Sequence, residues 1–323
     1  LVTVICITYN HALYVSKAIE SVWRQSYEPI ELIVIDDFST DETVLEVERL
    51  QKIRDFLFIK NKKNLGYCKT FNHAFSFAKG QFIVDLSGDD VLLPHRIMSH
   101  VEILKETDAG VIYSNCLHIA SNGQSLSPFH VIKDKQLSPK PHEGFIFPNV
   151  LGLNFISTPT MTIRREVLEY TQGYDESIAF EDFDFWLKSA KKFRYVFDKS
   201  ISTQKRIIND SLSTQFYKVK NSQMYASLAK VLFKEADPLW ATFVKPTLLY
   251  YLKLACATEN FFSILRFMLL CRKYQVIDSD KIGTCKDRFW LFFAGFVFRH
   301  RIRLNGVYIL FSKIKHRLSQ SGV

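Results

Sequence analysis

The chain opens on short apolar, β-branched runs, Val2 to Ile7, Glu31 to Ile35, Phe56 to Lys60, Gln81 to Leu86 and Gly110 to Tyr113, separated by segments of longer period. In the first spacer Val15, Ala18, Ile19 and Val22 fall at i, i+3, i+4 and i+7, one face of a helix. Strand runs alternating with helical spacers predict crossover connections and a mostly parallel sheet. Ser39 or Thr40 before Asp41-Glu42-Thr43 predicts a capped helix start with acids in its first turn, and Pro94 suits the first residue of another helix. Asn122-Gly123, Pro128, Pro139, Pro141 and Pro148 punctuate a long irregular stretch of the kind that carries binding loops. Regular pattern resumes near Thr158, and Phe183, Trp186, Leu187 and Ala190 again share a helical face.

Beyond about Gln215 the texture changes to aromatic-rich helical patterns, Leu239 to Ala257 and Phe261 to Arg272, followed by a basic and aromatic segment from Lys286 to Leu318. The pattern predicts an α/β domain over residues 1–214 and a mainly helical region over 215–323. The longest apolar run, Phe289 to Phe298, is about half the roughly 20 residues that span a bilayer, and Arg299, His300, Arg301 and Arg303 follow it. Such a segment can lie on a membrane without crossing it.

Composition narrows the partners. Of 323 residues 47% are hydrophobic, ample for a buried core, and the net charge of +9 suits nucleotide diphosphates, nucleic acid or an anionic membrane. The basic segment lacks a nucleic-acid module, so nucleic acid is not expected as a partner. Six scattered cysteines without a CxxC pair read as reduced, cytosolic thiols, and the opening Leu1-Val2-Thr3-Val4-Ile5 has no signal-peptide pattern. The expected location is the cytoplasm, with peripheral docking at the inner face of the membrane through the C-terminal region.

Three acidic and aromatic constellations stand where chemistry is expected. Thr8-Tyr9-Asn10 follows the first strand and Asp36-Asp37-Phe38-Ser39 the second. Ligands of open α/β sheets bind beyond the carboxyl ends of strands, so Tyr9 can stack on a base and Asp37 accept its N–H. Thr8 to Ala12 contains no glycine, which argues against a dinucleotide-binding hydride-transfer enzyme. The second constellation, Val84-Asp85-Leu86-Ser87-Gly88-Asp89-Asp90, closes an apolar strand with two adjacent carboxylates, and a hard divalent ion bridging diphosphate oxygens relieves their repulsion. The third, Glu181-Asp182, begins a helix and offers a carboxylate as general base for an acceptor hydroxyl. Lys69, Arg96 and Arg206 are the basic candidates for the diphosphate.

Taken in order, the stretches VTVICITYNHALYVSKAIESVWRQSYEPIELIVIDDFSTDET, NLGYCKTFNHAFSFAKGQFIVDLSGDDVLLPHRI and TPTMTIRREVLE…GYDES…FEDFDFWLKSA resemble glycosyltransferase family 2. The resemblance implies the GT-A fold, a Rossmann-like sheet with flanking helices, and inverting transfer from a nucleotide-diphosphate sugar, commonly a UDP-sugar. It implies that Thr8, Tyr9 and Asp37 hold the base and that Asn10 shapes the same loop. Asp89, in the last position of the family's DxD motif, would bind Mg2+ or Mn2+ with Asp90 as helper. Asp182 of the ED motif would be the base, supported by Glu181.

Two positions depart from the pattern. Ser87 replaces the first Asp of the DxD, and Ile208 stands where many members have a metal-binding His in R-x-H-x-x-S-x-S. They motivate an alternative, a degenerate transferase that binds nucleotide or a partner without turnover; the retained Glu181-Asp182 pair argues against it. A sugar-1-phosphate nucleotidyltransferase lacks support because Thr8-Tyr9-Asn10-His11 stands where its Gly-rich, Arg-containing loop belongs. Glycan or lipid-linked acceptors in bacterial surface polysaccharide synthesis are what the family resemblance suggests.

Overall fold

The computed structural model describes residues 1–152, 155–178, 181–208, 222–235, 237–257 and 261–276. Residues Leu1–Tyr274 form one compact unit, and of the second, Gln275–Val323, only Gln275 and Val276 are described. The helices after residue 222 therefore belong to the same unit as the sheet. The segment from Lys286 to Leu318 lies outside the described residues.

The predicted strands form as β1 (Val2–Thr8), β2 (Ile30–Asp36), β3 (Leu57–Lys60) and β4 (Phe82–Ser87), all parallel in the order β3-β2-β1-β4. The helix after β1 is α1 (Val15–Trp23), and its predicted apolar stripe is buried. It packs in one cluster with Val2, Val4 and Cys6 of β1 and with Phe82, Val84 and Leu86 of β4. The alternate strand positions, Ile5, Ile33, Ile35 and Ile83, are buried as well, as expected for a parallel sheet covered on both faces. Helix α2 (Thr43–Gln51) starts three residues later than its sequence signal, because Ser39 turns back to Asp36 while Asp41 accepts the Thr43 N–H at 3.0 Å.

Next come α3 (Tyr67–Phe75), the two-residue β5 (Val91–Leu92) and α4 (Arg96–Glu106), which begins two residues after Pro94. The fifth predicted strand extends to β6 (Val111–Ala120). The irregular stretch is more ordered than its prolines suggest. It contains β7 (Ser125–Pro128), the hairpin β8 (Val131–Lys133) and β9 (Gln136–Ser138), and α5 (Phe147–Gly152). Asp134 and Lys135 both have positive φ at the hairpin tip, the geometry of a tight two-residue turn.

Two further strands complete the large sheet without having been visible as apolar runs. β10 (Thr162–Arg164) inserts antiparallel between β4 and β6, and β11 (Tyr195–Ile207) runs parallel to β6 and pairs antiparallel with β5. Helices α6 (Arg165–Thr171) and α7 (Glu181–Ser189) lie between them in sequence. The helical end comprises α8 (Ser222–Lys234), α9 (Ala241–Ala257) and α10 (Phe261–Lys273). Cys6, Cys68 and Cys116 are buried free thiols, and Cys271 is buried as well. Among the described residues no helix is long and apolar enough to cross a membrane.

Candidate active site

The carboxyl ends of β1, β2 and β4 bring the first two constellations together. Thr8 closes β1 and is buried, whereas the Tyr9 ring is 43% exposed and open to a stacking partner. Asn10 turns left-handed at φ 54°, and its side-chain oxygen accepts the Thr40 N–H at 2.8 Å, tying the β1 loop to the β2 loop. Phe38 has φ 69° in that second loop. Two non-glycine residues with positive φ mark a backbone held by its surroundings.

Asp37 is buried beneath these loops. Its Oδ1 accepts from Asn61 Nδ2 at 2.9 Å and from the Leu65 N–H at 2.8 Å, and its Oδ2 accepts the Gly66 N–H at 2.9 Å. A carboxylate has about four acceptor positions, so one remains on Oδ2 for a base N–H. Lys69 is exposed in the first turn of α3.

At the end of β4, Ser87 Oγ donates to Asp89 Oδ1 at 2.5 Å, which places both side chains on one side of the turn. Gly88 points the other way, and a Cβ there would lie 2.9 Å from both Thr8 Oγ1 and His11 Nδ1. Only glycine fits so close an approach. Asp90 accepts the Arg206 N–H at 2.8 Å and is pushed up to about 8, first by burial and then by the charge on Asp89.

The residues present fit a divalent cation. Asp89 and Asp90 are buried side by side, and among the described residues no side-chain cation forms a salt bridge with either. No three His, Cys, Asp or Glu converge there among the described residues, so an ion would take further oxygen ligands from diphosphate or water.

Two basic candidates are structural. Arg206 Nε donates to the Asp89 carbonyl at 2.9 Å, its Nη1 donates to the carbonyls of Ala120 and Ser121, and its guanidinium lies over the Tyr14 ring. Arg96 is fully buried, donating to the carbonyls of Pro159 and Met161 and to Thr203 Oγ1. Both guanidinium groups are engaged with backbone carbonyls rather than facing a ligand.

The third constellation opens α7 as predicted, with Glu181 and Asp182 in the first turn. Asp182 accepts from Thr158 Oγ1 at 2.5 Å and from the Phe183 N–H at 2.8 Å. Burial raises its carboxyl, while Thr158 and the charge of Lys205 pull it back down. Glu181, whose side-chain contact is the Cys68 thiol at 3.9 Å, is pushed up to about 8 by burial and then by Asp182. Burial favours the neutral form of both, and Asp182 is the member whose hydrogen bonds from Thr158 and the Phe183 N–H favour ionisation.

Sequence reasoning assigned no role to three participants. Thr158 orients Asp182 from a 3-10 turn, Thr158–Thr160. Lys205, half-buried on β11, lowers both Asp90 and Asp182, so the two acidic pairs share one electrostatic neighbourhood. Asp85, two residues before Ser87 on the same strand face, accepts from the hydroxyls of Tyr67 and Tyr174 at 2.6 and 2.9 Å and is pushed up to about 6 by burial. None takes its role from a local motif. Ile208 is half-buried just past β11, and residues 209–213 of that motif lie outside the described residues.

Comparison with known proteins adds context to this geometry. The sequence model of Glycosyl transferase family 2 matches residues 3–171, just over half of the chain. An uncharacterized glycosyltransferase of Methanocaldococcus jannaschii is 28% identical over 234 residues, covering 71% of this chain and 74% of its own. One of Rickettsia typhi is 28% identical over 247 residues, 76% of this chain and 72% of its own. Among solved structures, S. aureus TarS 1-349 in complex with UDP-GlcNAc superposes with TM-score 0.58 at 18% identity, over 76% of this chain and 72% of that one. The longer TarS chain is covered to 43%. A mannosyltransferase from Pyrobaculum calidifontis in complex with GDP-Man and Mn2+ gives TM-score 0.57 at 16% identity, over 90% of this chain and 80% of that one.

Proposed function

Because the chain belongs to glycosyl transferase family 2 and has the GT-A fold, we propose that it moves a sugar from a nucleotide-diphosphate donor to an acceptor hydroxyl with inversion at the anomeric carbon. A UDP-sugar is the proposed donor. The observation that carries the reading is two pairs of adjacent carboxylates in one electrostatic neighbourhood, the buried Asp89-Asp90 at the end of β4 and the half-buried Glu181-Asp182 at the start of α7, with Lys205 lowering a member of each.

In the proposed reaction Tyr9 stacks on the base, Asp37 accepts its N–H, and Thr8 and Asn10 hold the loop in shape. Asp182 takes the proton of the acceptor hydroxyl as its oxygen bonds to the anomeric carbon. The bond from that carbon to the diphosphate breaks on the opposite face, and the nucleoside diphosphate departs with the electron pair. Protonated Glu181 donates a hydrogen bond within the acceptor site. Asp89, with Asp90, would hold Mg2+ or Mn2+, and the ion's charge would offset the charge gathering on the leaving diphosphate. Lys205 adds a fixed positive charge between the two acidic pairs, and exposed Lys69 is the further basic candidate for the diphosphate.

An acceptor that is a glycan or lipid-linked, a role in bacterial surface polysaccharide or lipid-linked glycan synthesis, and peripheral contact with the cytoplasmic membrane through the C-terminal region complete the proposal. We propose residues 1–214 as the transferase core and 215–323 as the docking region.

The test is thermal unfolding with UDP, GDP, CDP and dTDP, each with and without Mn2+, on the native chain and on Asp89→Ala. Ligand at 100 times its Kd stabilises by about 2.7 kcal/mol, a readable rise in melting temperature. The expected result is a metal-dependent rise with UDP that Asp89→Ala abolishes. A shift without release of nucleoside diphosphate during turnover assays with any acceptor would favour the degenerate reading. No shift with any nucleotide overturns the donor site.

A further inference from the structure

Helix α9 buries one face and leaves an apolar face outside. Val244, Leu248 and Ala255 point inward. On the opposite side Phe243, Pro246, Leu249, Tyr250 and Lys253 line one stripe, continued toward the helix start by Leu239. At 100° per residue these outward positions fall within about 120° of arc. Exposure runs from 41% at Phe243 and Leu249 through 51% at Tyr250 to 72% at Leu239. A helix that is apolar on both faces belongs in a core or against a partner, whereas the outer face of a solvated helix is polar. Thr242 falls in the same arc and Lys245 at its edge, so the exposed polar residues of α9 are one threonine and two lysines, none of them acidic.

Charge indicates the partner. Neither α9 nor α10 contains Asp or Glu, and between them they carry Lys245, Lys253, Arg266, Arg272 and Lys273. The acidic Glu259 of the connecting segment lies outside the described residues. On α10 Arg266, Leu269 and Lys273 repeat the pattern, exposed at i, i+3 and i+7 with an apolar residue between two cations. Exposed aromatic and aliphatic side chains flanked by long cationic ones are the composition of an interfacial helix. The rings enter the acyl boundary while the ammonium groups reach back to anionic headgroups.

We propose that the outward face of α9 docks this protein on an anionic lipid surface, with Leu239, Phe243, Leu249 and Tyr250 inserted and Lys245 and Lys253 on the headgroups. The inference narrows the membrane contact proposed above from the whole C-terminal region to one surface, and rests on that reading for its choice of partner. It does not depend on the donor site.

Flotation of the full chain with phosphatidylcholine vesicles, with and without phosphatidylglycerol, tests it. The native chain floats with the anionic vesicles, less so as salt rises. Phe243→Glu with Tyr250→Glu, and separately Lys245→Glu with Lys253→Glu, each lower the bound fraction about tenfold. All these positions are exposed, so the melting temperature and its rise with UDP and Mn2+ stay at native values and certify folding. The proposal is overturned if the native chain ignores both vesicle types, or if both variants float like it. It is also overturned if sedimentation velocity shows a lipid-independent dimer that the Phe243→Glu Tyr250→Glu pair dissociates, since a second copy then covers this face. The UDP-dependent rise separates the two readings: flotation without it leaves this surface standing while the donor site falls, and the reverse holds equally.

Discussion

The general-base role proposed for Asp182 requires its ionised form, and its surroundings pull both ways. Burial favours its neutral form, while Thr158, the Phe183 N–H and Lys205 favour the charged one. Thr158→Val removes one hydrogen bond to the charged form, so the acidic limb of the pH profile of kcat/KM moves to higher pH while the UDP-dependent melting rise is retained. Asp182→Asn lowers turnover by about 100 to 10,000-fold, the range for a lost general base, with donor binding intact. Glu181→Gln mimics the protonated acid and reduces turnover less than about tenfold, because a neutral hydrogen-bonding group stays in place. A larger loss in steady-state assays would mean that Glu181 acts as the base. The carboxylates themselves were legible from sequence, since pairs at strand ends and helix starts are local features. Thr158 and Lys205 were not, because each reaches the site by a contact or charge distant in sequence.

At the scale of elements, β11 completes the site and was hidden. Its sequence, Tyr195–Ile207, mixes lysines and serines with apolar residues, and register shifts between Asp198 and Thr203 break its alternation. It persists as a strand because β6 and β5 satisfy its backbone on both sides. Arg206 then fastens β11 to the Asp89 turn and to the end of β6. Removing it takes the side-chain donor from the buried Asp89 carbonyl, so Arg206→Met costs about 1–3 kcal/mol in denaturant unfolding and weakens the metal-dependent melting rise. Arg206→Lys recovers little, since a single ammonium cannot span the three carbonyls of the fork. Gly88→Ala tests the same turn from below. Its Cβ meets Thr8 and His11 at 2.9 Å, and an overpacked site costs about 1–3 kcal/mol and displaces Asp89 from the base loops.

Across the whole molecule, the raised carboxyls link stability to pH. Asp85 at about 6, and Asp90 and Glu181 at about 8, hold protons in the folded chain that the unfolded chain releases near pH 4. Their contribution is complete below the unfolded values and is lost as pH rises toward 8. Half-buried His11 and buried His100 act oppositely, because desolvation lowers them and their contribution is lost as pH falls below about 6.5. Between pH 6.5 and 8 only the carboxyls remain, so the melting temperature without divalent cation falls across that window. Mn2+ with UDP flattens the fall by favouring ionised Asp90, and Asp90→Asn flattens it without either. A melting temperature that rises across the window would contradict the protonated state of Asp90 and Glu181.

The sequence by itself determined the parallel half of the sheet, the helix across it, the base loops and the acidic pairs, because period, strand ends and first turns are written within a few residues. Tertiary structure alone decided where β10 and β11 insert, since strands of mixed polarity gain their stability from neighbours distant in the chain. It also decided the fate of the charges. As letters Arg96 and Arg206 look like diphosphate ligands, yet burial turns both toward carbonyls, and Lys205 is the basic residue that acts on both acidic pairs. Likewise Glu181 and Asp182 are one motif in sequence and two different acids in the fold. The hydrogen bonds that separate them come from Thr158 and the α7 backbone, and the burial that neutralises one of them exists only once the chain has packed.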